Sequence, residues 1–335
     1  MKVLLFMVSP GTAKGGMEKH YSELANGLAS SGIQVFCMAA PEHLQALDAN
    51  ITRLPINSRL SRHSVATHFR VARILREYRF DVVHAQGSKA AHIVQRISPL
   101  FKKTVFIATI HNFKKRYPNP LRFCRMIAVS NALARDIGHS NVTVVYNGLD
   151  TQAHASPAGA ISSGDVKPVW LSVGRLVAAK GFDRLIEAFQ HVKGTLLIAG
   201  SGPNFKNLDE QIHRLNLSGR VKLLGHVTNI PELMSAVDAV VISSRREGFS
   251  YVFAEALQSD KPVVATDVPI ANEFLPGDFV IPTNASSEEF ADHLNINLAS
   301  AYNAQASART RAQAELSVDA MTKNTVRVYR DCLEP

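Results

Sequence analysis

Two cations and two carboxylates stand where an open α/β sheet would put them to use. Arg175 and Lys180 lie in GRLVAAKG, directly after the apolar run VWLSVG. That run reads as a strand, so both cations fall at its carboxyl end, where such sheets bind anionic ligands, and the place suits a diphosphate. Glu247 and Glu255 follow in REGFSYVFAEAL, after a second strand-like run, AVVISSRR. Eight residues on a 3.6 period close on two turns, which predicts both carboxylates on one helical face. Carboxylates accept hydrogen bonds from hydroxyls, so the pair suits a sugar and a ribose, with the backbone N–H groups of Gly248, Phe249 and Ser250 near the same sugar or phosphate. Phe253, Ala254, Ala256 and Leu257 flank Glu255, and a carboxylate in that apolar setting requires a partner.

Other candidates lie earlier in the chain. SPGTAKGGMEKH follows the first apolar run and opens a helix, so free N–H groups at Gly15, Gly16 and Met17 are placed to meet an anion. The loop matches neither the dinucleotide GxGxxG nor a Walker sequence, and a plain glycine turn is the alternative. His111 ends the strand-like VFIATIH and His84 ends FDVVH. Either can be a satisfied structural histidine or a ligand-facing one, and His84 reads as acceptor-side or structural. Ser130-Asn131 reads as a helix cap and Asn147-Gly148 as a turn. Among thirteen histidines there is no HExxH or other ligand spacing, so no metal role is indicated. No Asp-x-Asp occurs in the chain, which argues against a metal-bound diphosphate and leaves Arg175 and Lys180 to stabilise a leaving anion.

Strand-like runs alternate with helical segments throughout, which predicts parallel sheets with helices on both faces. The first set is Val3 to Val8, Gln34 to Met38, Val82 to His84, Val105 to Thr109, Met126 to Val129 and Thr143 to Val145. The second is Val169 to Val173, Leu196 to Ala199, Val221 to Leu224, Ala239 to Ile242 and Val263 to Ala265. Between them, residues 151–167 are rich in Ala, Ser, Gly and Pro without apolar period, as in a linker. The expected division is therefore residues 1–150, a linker over 151–167, and residues 168–316. At 335 residues, with 46% hydrophobic and 19% charged side chains, the composition is that of a soluble globular protein of two domains. The longest apolar stretches are strand-length, so neither a signal peptide nor a spanning helix is predicted and a cytoplasmic location is expected. Cys37, Cys124 and Cys332 are odd in number, far apart and without CxxC spacing, so no disulfide framework or zinc site is predicted. Cys37, in VFCMAA, reads as core.

Charge is placed unevenly. Residues 1–150 carry 20 Lys and Arg against 8 Asp and Glu, whereas residues 151–335 carry 17 against 20. The excess gathers in two stretches, Arg59 to Arg79 and Lys102 to Arg125. A basic face attracts nucleic acid, anionic lipid or phosphorylated glycan, and a solvated helix face is the alternative for the first stretch. Basic residues do not interleave with aromatics as single-strand binders require, so nucleic acid is not the expected partner.

The ordered series GGMEKHYSELANGLASSGIQV, TIHN, AVSNAL, VVYNGLD, GRLVAAKG, IAGSGP, the two glutamates and KPVVATDVP resembles the family-4 retaining glycosyltransferases over nearly the whole chain. The resemblance implies GT-B architecture, two doubly wound parallel-sheet (Rossmann-like) domains facing across a cleft, with a last helix, about 317–335, crossing back onto the first domain. It also implies a metal-independent hexosyltransferase that moves a hexose or N-acetylhexosamine from a nucleotide diphosphate sugar, UDP foremost, with no cofactor. The acceptor would be an anionic envelope glycan or glycolipid such as lipopolysaccharide core, O-antigen or capsule precursor, met with peripheral membrane contact. By the same resemblance, His111 faces the donor sugar near the reacting carbon, Arg175 and Lys180 bind the diphosphate, Glu247 the sugar, Glu255 the ribose, and Gly15 and Gly16 wall the donor site. A nucleotide-sugar 2-epimerase shares the architecture and is the second reading; a non-catalytic glycan-binding protein is the third.

Overall fold

The computed structural model describes residues 1–9, 15–57, 61–150 and 166–334. Arg59 and nearly all of the 151–167 segment lie outside the described residues. The chain divides into two compact units, Met1–Asp150 with Glu315–Pro335, and Thr151–Ala314.

The first unit is built on seven parallel strands, β1 (Lys2–Met7), β2 (Gln34–Ala39), β3 (Thr52–Pro55), β4 (Val82–Gln86), β5 (Val105–Ile110), β6 (Arg125–Ala128) and β7 (Val142–Val144). They lie in the order β3-β2-β1-β4-β5-β6-β7. Strand β1 is central and buried along Val3 to Met7, so it is apolar without alternation, as a strand covered on both faces must be. The helix Gly16–Ser30 buries Tyr21, Leu24, Ala25 and Leu28 against it at helical spacing. The helix Val318–Leu333 adds Met321, Val328, Tyr329 and Cys332 to the same core. Its start is seated by Gly148, where an added Cβ would lie 2.5 Å from the Val318 backbone. Leu149 bridges to Ser317, so Asn147-Gly148 docks this helix and is more than a turn. Ser130 does cap its helix, Asn131–Ile137, accepting from Leu133 N–H.

The second unit carries six parallel strands, β8 (Val169–Val173), β9 (Thr195–Ala199), β10 (Val221–Gly225), β11 (Ala239–Ile242), β12 (Val263–Thr266) and β13 (Val280–Ile281), in the order β10-β9-β8-β11-β12-β13. Trp170, Phe189, Phe253 and Phe290 are its largest fully buried side chains. Both sheets are doubly wound, with the order reversing at β1/β4 and at β8/β11, the crevice positions of such folds.

Two corrections to the sequence expectations belong here. Cys124 and Cys332 form a disulfide, with Cα atoms 6.0 Å apart and 208 residues between them in sequence. The pairing arises because the last helix returns to pack on the first unit, which no local cysteine spacing records. Cys37 is the free, buried one. The edge strands β3 and β13 also went unpredicted, β3 because it is mostly exposed and lacks an apolar run, β13 because it is two residues long.

Candidate active site

In the second unit the sequence-predicted cation and carboxylate meet. Lys180 Nζ lies 2.5 Å from Glu247 Oε1, and Ser244 Oγ donates to the same oxygen at 2.7 Å. These three line one narrow crevice with Ser172, Ser243 and Ser250, at the carboxyl ends of β8 and β11. Two loops make the meeting possible. Lys180 ends a short 3-10 turn after β8, and Gly181 follows it at φ +66° with its α-carbon against the Ser243 carbonyl. An added Cβ there would lie 2.1 Å from that oxygen, so the approach of the two loops requires glycine. Ser243 Oγ then donates to the Lys180 carbonyl at 2.8 Å.

A second brace was not visible in the sequence. Arg245 binds Asp183 through two bonds of 2.6 and 2.7 Å and donates to the Ala178 carbonyl, while its own N–H donates to Ala179. The pair ties the loop that carries Lys180 to the loop that carries Glu247. Burial raises the Asp183 carboxyl, but the Arg245 guanidinium beside it, with the backbone N–H groups of Asp183 and Arg184, holds it below the usual range. Asp183 and Arg245 are 62 residues apart, and neither stands in a motif.

Arg175 lies on the same post-β8 loop, is exposed, and forms no side-chain bond among the described residues. Its loop is pressed onto IAGSGP: Leu176 N–H donates to Ser201, and Gly200 and Gly202 leave no room for a side chain against Gly174 and Leu176. Gly248, Phe249 and Ser250 are buried, and Ser250 accepts from Phe253 N–H as the cap of the helix Tyr251–Gln258. That cap corrects the sequence expectation. The helix begins after Glu247, so Glu247 and Glu255 do not share a continuous helical face; Glu255 is a half-buried helical residue and Glu247 a loop residue.

In the first unit, Gly15 caps the helix Gly16–Ser30, but its N–H donates to Glu18 Oε2 at 3.0 Å, and Ser9 Oγ donates to Glu18 Oε1. The expectation of a free Gly15 N–H for an anion is therefore corrected, since the helix's own third-position carboxylate satisfies it. Gly16 is exposed beside it. His111 follows β5, is 7% exposed, and bonds through Nε2 to Gln86 Oε1 at 3.0 Å. His20 packs edge-on to it with ring centroids 4.7 Å apart. Burial first, then the neighbouring His20 and His84, push His111 well below the ordinary histidine range, so it is neutral. His84 is fully buried and bonds Tyr329 and Thr109, each at 2.7 Å, which makes it a structural support. Among the described residues no three His, Cys, Asp or Glu side chains gather as a metal site.

Comparison with known proteins identifies the chemistry. The Glycosyltransferase Family 4 model matches residues 14–153, and the Glycosyl transferases group 1 model matches residues 160–315. The lipopolysaccharide core biosynthesis glycosyltransferase LpsD of Rhizobium meliloti is 28% identical over 267 residues, which is 76% of this chain and 75% of that protein. Anabaena HepE in complex with UDP superposes with a TM-score of 0.80 at 22% identity, over 99% of this chain and 100% of that one. A glycosyltransferase from Rickettsia africae gives 0.82 at 19% identity, over 99% of both chains. At those identities the structural likeness speaks for the fold. With one glycosyltransferase model on each of its parallel-sheet units, the chain belongs to the family-4 type of GT-B glycosyltransferases.

Proposed function

We propose that this glycosyltransferase moves a hexose or N-acetylhexosamine from a UDP-sugar to a bacterial envelope glycan, such as lipopolysaccharide core, O-antigen or capsule precursor, with retention of anomeric configuration and without a metal. The observation that carries the donor reading is the joining of Lys180, Ser244 and Glu247 at the carboxyl ends of β8 and β11, with Arg175 open on the same loop. The UDP bound in HepE supports the nucleotide, and the lipopolysaccharide core role of LpsD supports the acceptor class.

In this reading the donor diphosphate takes the Lys180 ammonium and the Arg175 guanidinium, and Glu247 turns to accept hydrogen bonds from the sugar. Glu255 accepts from the ribose. As the bond from the anomeric carbon to the diphosphate oxygen breaks, fixed cations stabilise the charge that develops. The acceptor hydroxyl attacks on the face the diphosphate leaves and passes its proton to a diphosphate oxygen. Neutral His111 stands near the reacting carbon. The absence of Asp-x-Asp from the chain, with these cations present, supports a leaving group held by side chains. The acceptor is assigned to the first unit, whose excess of basic residues suits an anionic glycolipid on the cytoplasmic side of a membrane.

A thermal-shift series of UDP-, GDP- and ADP-sugars tests the donor. A bound sugar nucleotide at about 100 times its dissociation constant adds about 2.7 kcal/mol, and the shift is expected for UDP-sugars. A shift with GDP- or ADP-sugars alone overturns the base. Incubated without acceptor, the donor should hydrolyse slowly, whereas interconversion to its 2-epimer would mark an epimerase. Transfer should survive EDTA and give a product of unchanged anomeric configuration; loss in chelator restored by magnesium or manganese overturns metal independence.

A further inference from the structure

The first unit holds a buried polar chain that leads to His111. It runs from the last helix to the end of β5. Tyr329 O–H lies 2.7 Å from His84 Nδ1, and Thr109 Oγ1 lies 2.7 Å from His84 Nε2, so both nitrogens of His84 are engaged. Gln86, two residues on along β4 and 1% exposed, sets its amide nitrogen 3.3 and 3.5 Å from those ring nitrogens. The other end of the amide, Oε1, meets His111 Nε2 at 3.0 Å. The amide nitrogen of Gln86 thus faces the His84 ring and its oxygen faces His111.

The consequence falls on His111. An amide oxygen only accepts, so His111 Nε2 must carry the proton, and a neutral imidazole then has a bare lone pair at Nδ1. That atom is buried and has no hydrogen-bond partner among the described residues. A buried polar atom without a partner is costly, and the ring stands at the carboxyl end of β5, the ligand side of a parallel sheet. The ring is neutral because burial and the two neighbouring histidines disfavour its charge.

We propose that Gln86, held by His84 and Tyr329, is a positioning residue that locks His111 in its Nε2–H tautomer, so that Nδ1 is kept as an acceptor for a substrate hydroxyl. The inference rests on the reading that His111 acts in transfer, and adds to it the group that decides what His111 offers. With the opposite tautomer the same ring would offer an N–H donor at Nδ1 and would set a bare Nε2 against the Gln86 oxygen.

Imidazole 15N resonances of the intact wild-type chain report the tautomer directly. His111 is expected to show a protonated, pyrrole-like Nε2 and a bare, pyridine-like Nδ1; the reverse pattern overturns the proposal without any variant having to fold. Gln86→Leu should release the lock, giving mixed tautomers and a fall in kcat of about tenfold, the loss of one ordinary hydrogen bond. Gln86→Glu should not restore the rate, because a carboxylate beside Nε2 favours the charged imidazolium and puts a proton on Nδ1. An unchanged tautomer in Gln86→Leu overturns the lock. His111→Ala separates the two claims: full activity there sinks the reading of His111 in transfer, whereas an inactive His111→Ala beside a wild-type Nδ1–H tautomer sinks the lock alone.

Discussion

Lys180 and Arg175 are both assigned to the diphosphate, yet their surroundings differ and so do the expected results of removing them. Arg175 is exposed and free of side-chain bonds among the described residues, so Arg175→Ala should leave the fold intact while lowering turnover on the order of a hundredfold, as for one lost transition-state contact. Lys180 is part of a half-buried ion pair, with side-chain exposures of 23% and 11% for Lys180 and Glu247. Among the described residues Lys180→Ala leaves that carboxylate with Ser244 alone, so a similar fall in turnover should come with a lower melting temperature. Steady-state rates beside melting curves separate the two effects, and near-normal turnover in both variants would sink the diphosphate clamp.

At the scale of elements, the ends of β4 and β5 and the helix Gly16–Ser30 bring three neutral histidines together. Burial lowers His20 to about 4, with Asn147 opposing, and lowers His84 to about 3, with His20 assisting; His111 is also lowered. Each of these histidines titrates near 6.5 once unfolded. Between that value and the folded one, the unfolded chain binds protons that the folded chain does not, so stability rises with pH in this window. The contribution is complete above about 6.5 and is lost as pH falls toward 4 and 3, at about 1.4 kcal/mol per pH unit for each histidine. Hydrogen-exchange protection factors along β4 and β5 should therefore fall between pH 7 and pH 5. His20→Leu, which removes one of the three rings, should flatten that dependence. Protection that is the same at both pH values would show that these rings charge without unfolding.

The whole molecule is asymmetric in charge, and the segment after His111 bears on where it works. Lys114, Lys115 and Arg116 are exposed, and Leu121 is 76% exposed, but Phe113 and Tyr117 are half-buried and Phe123 is in the core. The largely exposed apolar side chain of that segment is thus Leu121. A second basic face, on the helix Val65–Tyr78, exposes Val65 and Phe69 among Arg62, Arg70, Arg73 and Arg76. No helix among the described residues is long and apolar enough to cross a membrane. Salt-sensitive sedimentation with anionic vesicles is expected, at about 1 kcal/mol per basic residue near the surface. Replacing Lys114, Lys115 and Arg116 by Ser should weaken it and slow transfer to a lipid-linked acceptor more than to a soluble fragment. Protein that stays in the supernatant at low salt refutes a membrane-surface role.

What the sequence by itself determined was whatever short stretches of chain encode. Runs such as VLLFM and VWLSV are apolar without alternation because their strands are buried on both faces, and this made the parallel sheets legible. The places of Arg175, Lys180 and Glu247 after β8 and β11 were legible because they can be counted from the strands themselves. The edge strand β3 is wet and has no such signature. Tertiary structure alone decided the pairings between distant segments: Cys124 with Cys332, His84 with Tyr329 across 245 residues, and Arg245 with Asp183. It also decided that Glu18 takes the Gly15 N–H and that Glu247 lies before its helix, since a cap is chosen by competition among nearby groups once the chain is packed. Periodicity reports which face of an element is buried, and carries no record of which other element covers it.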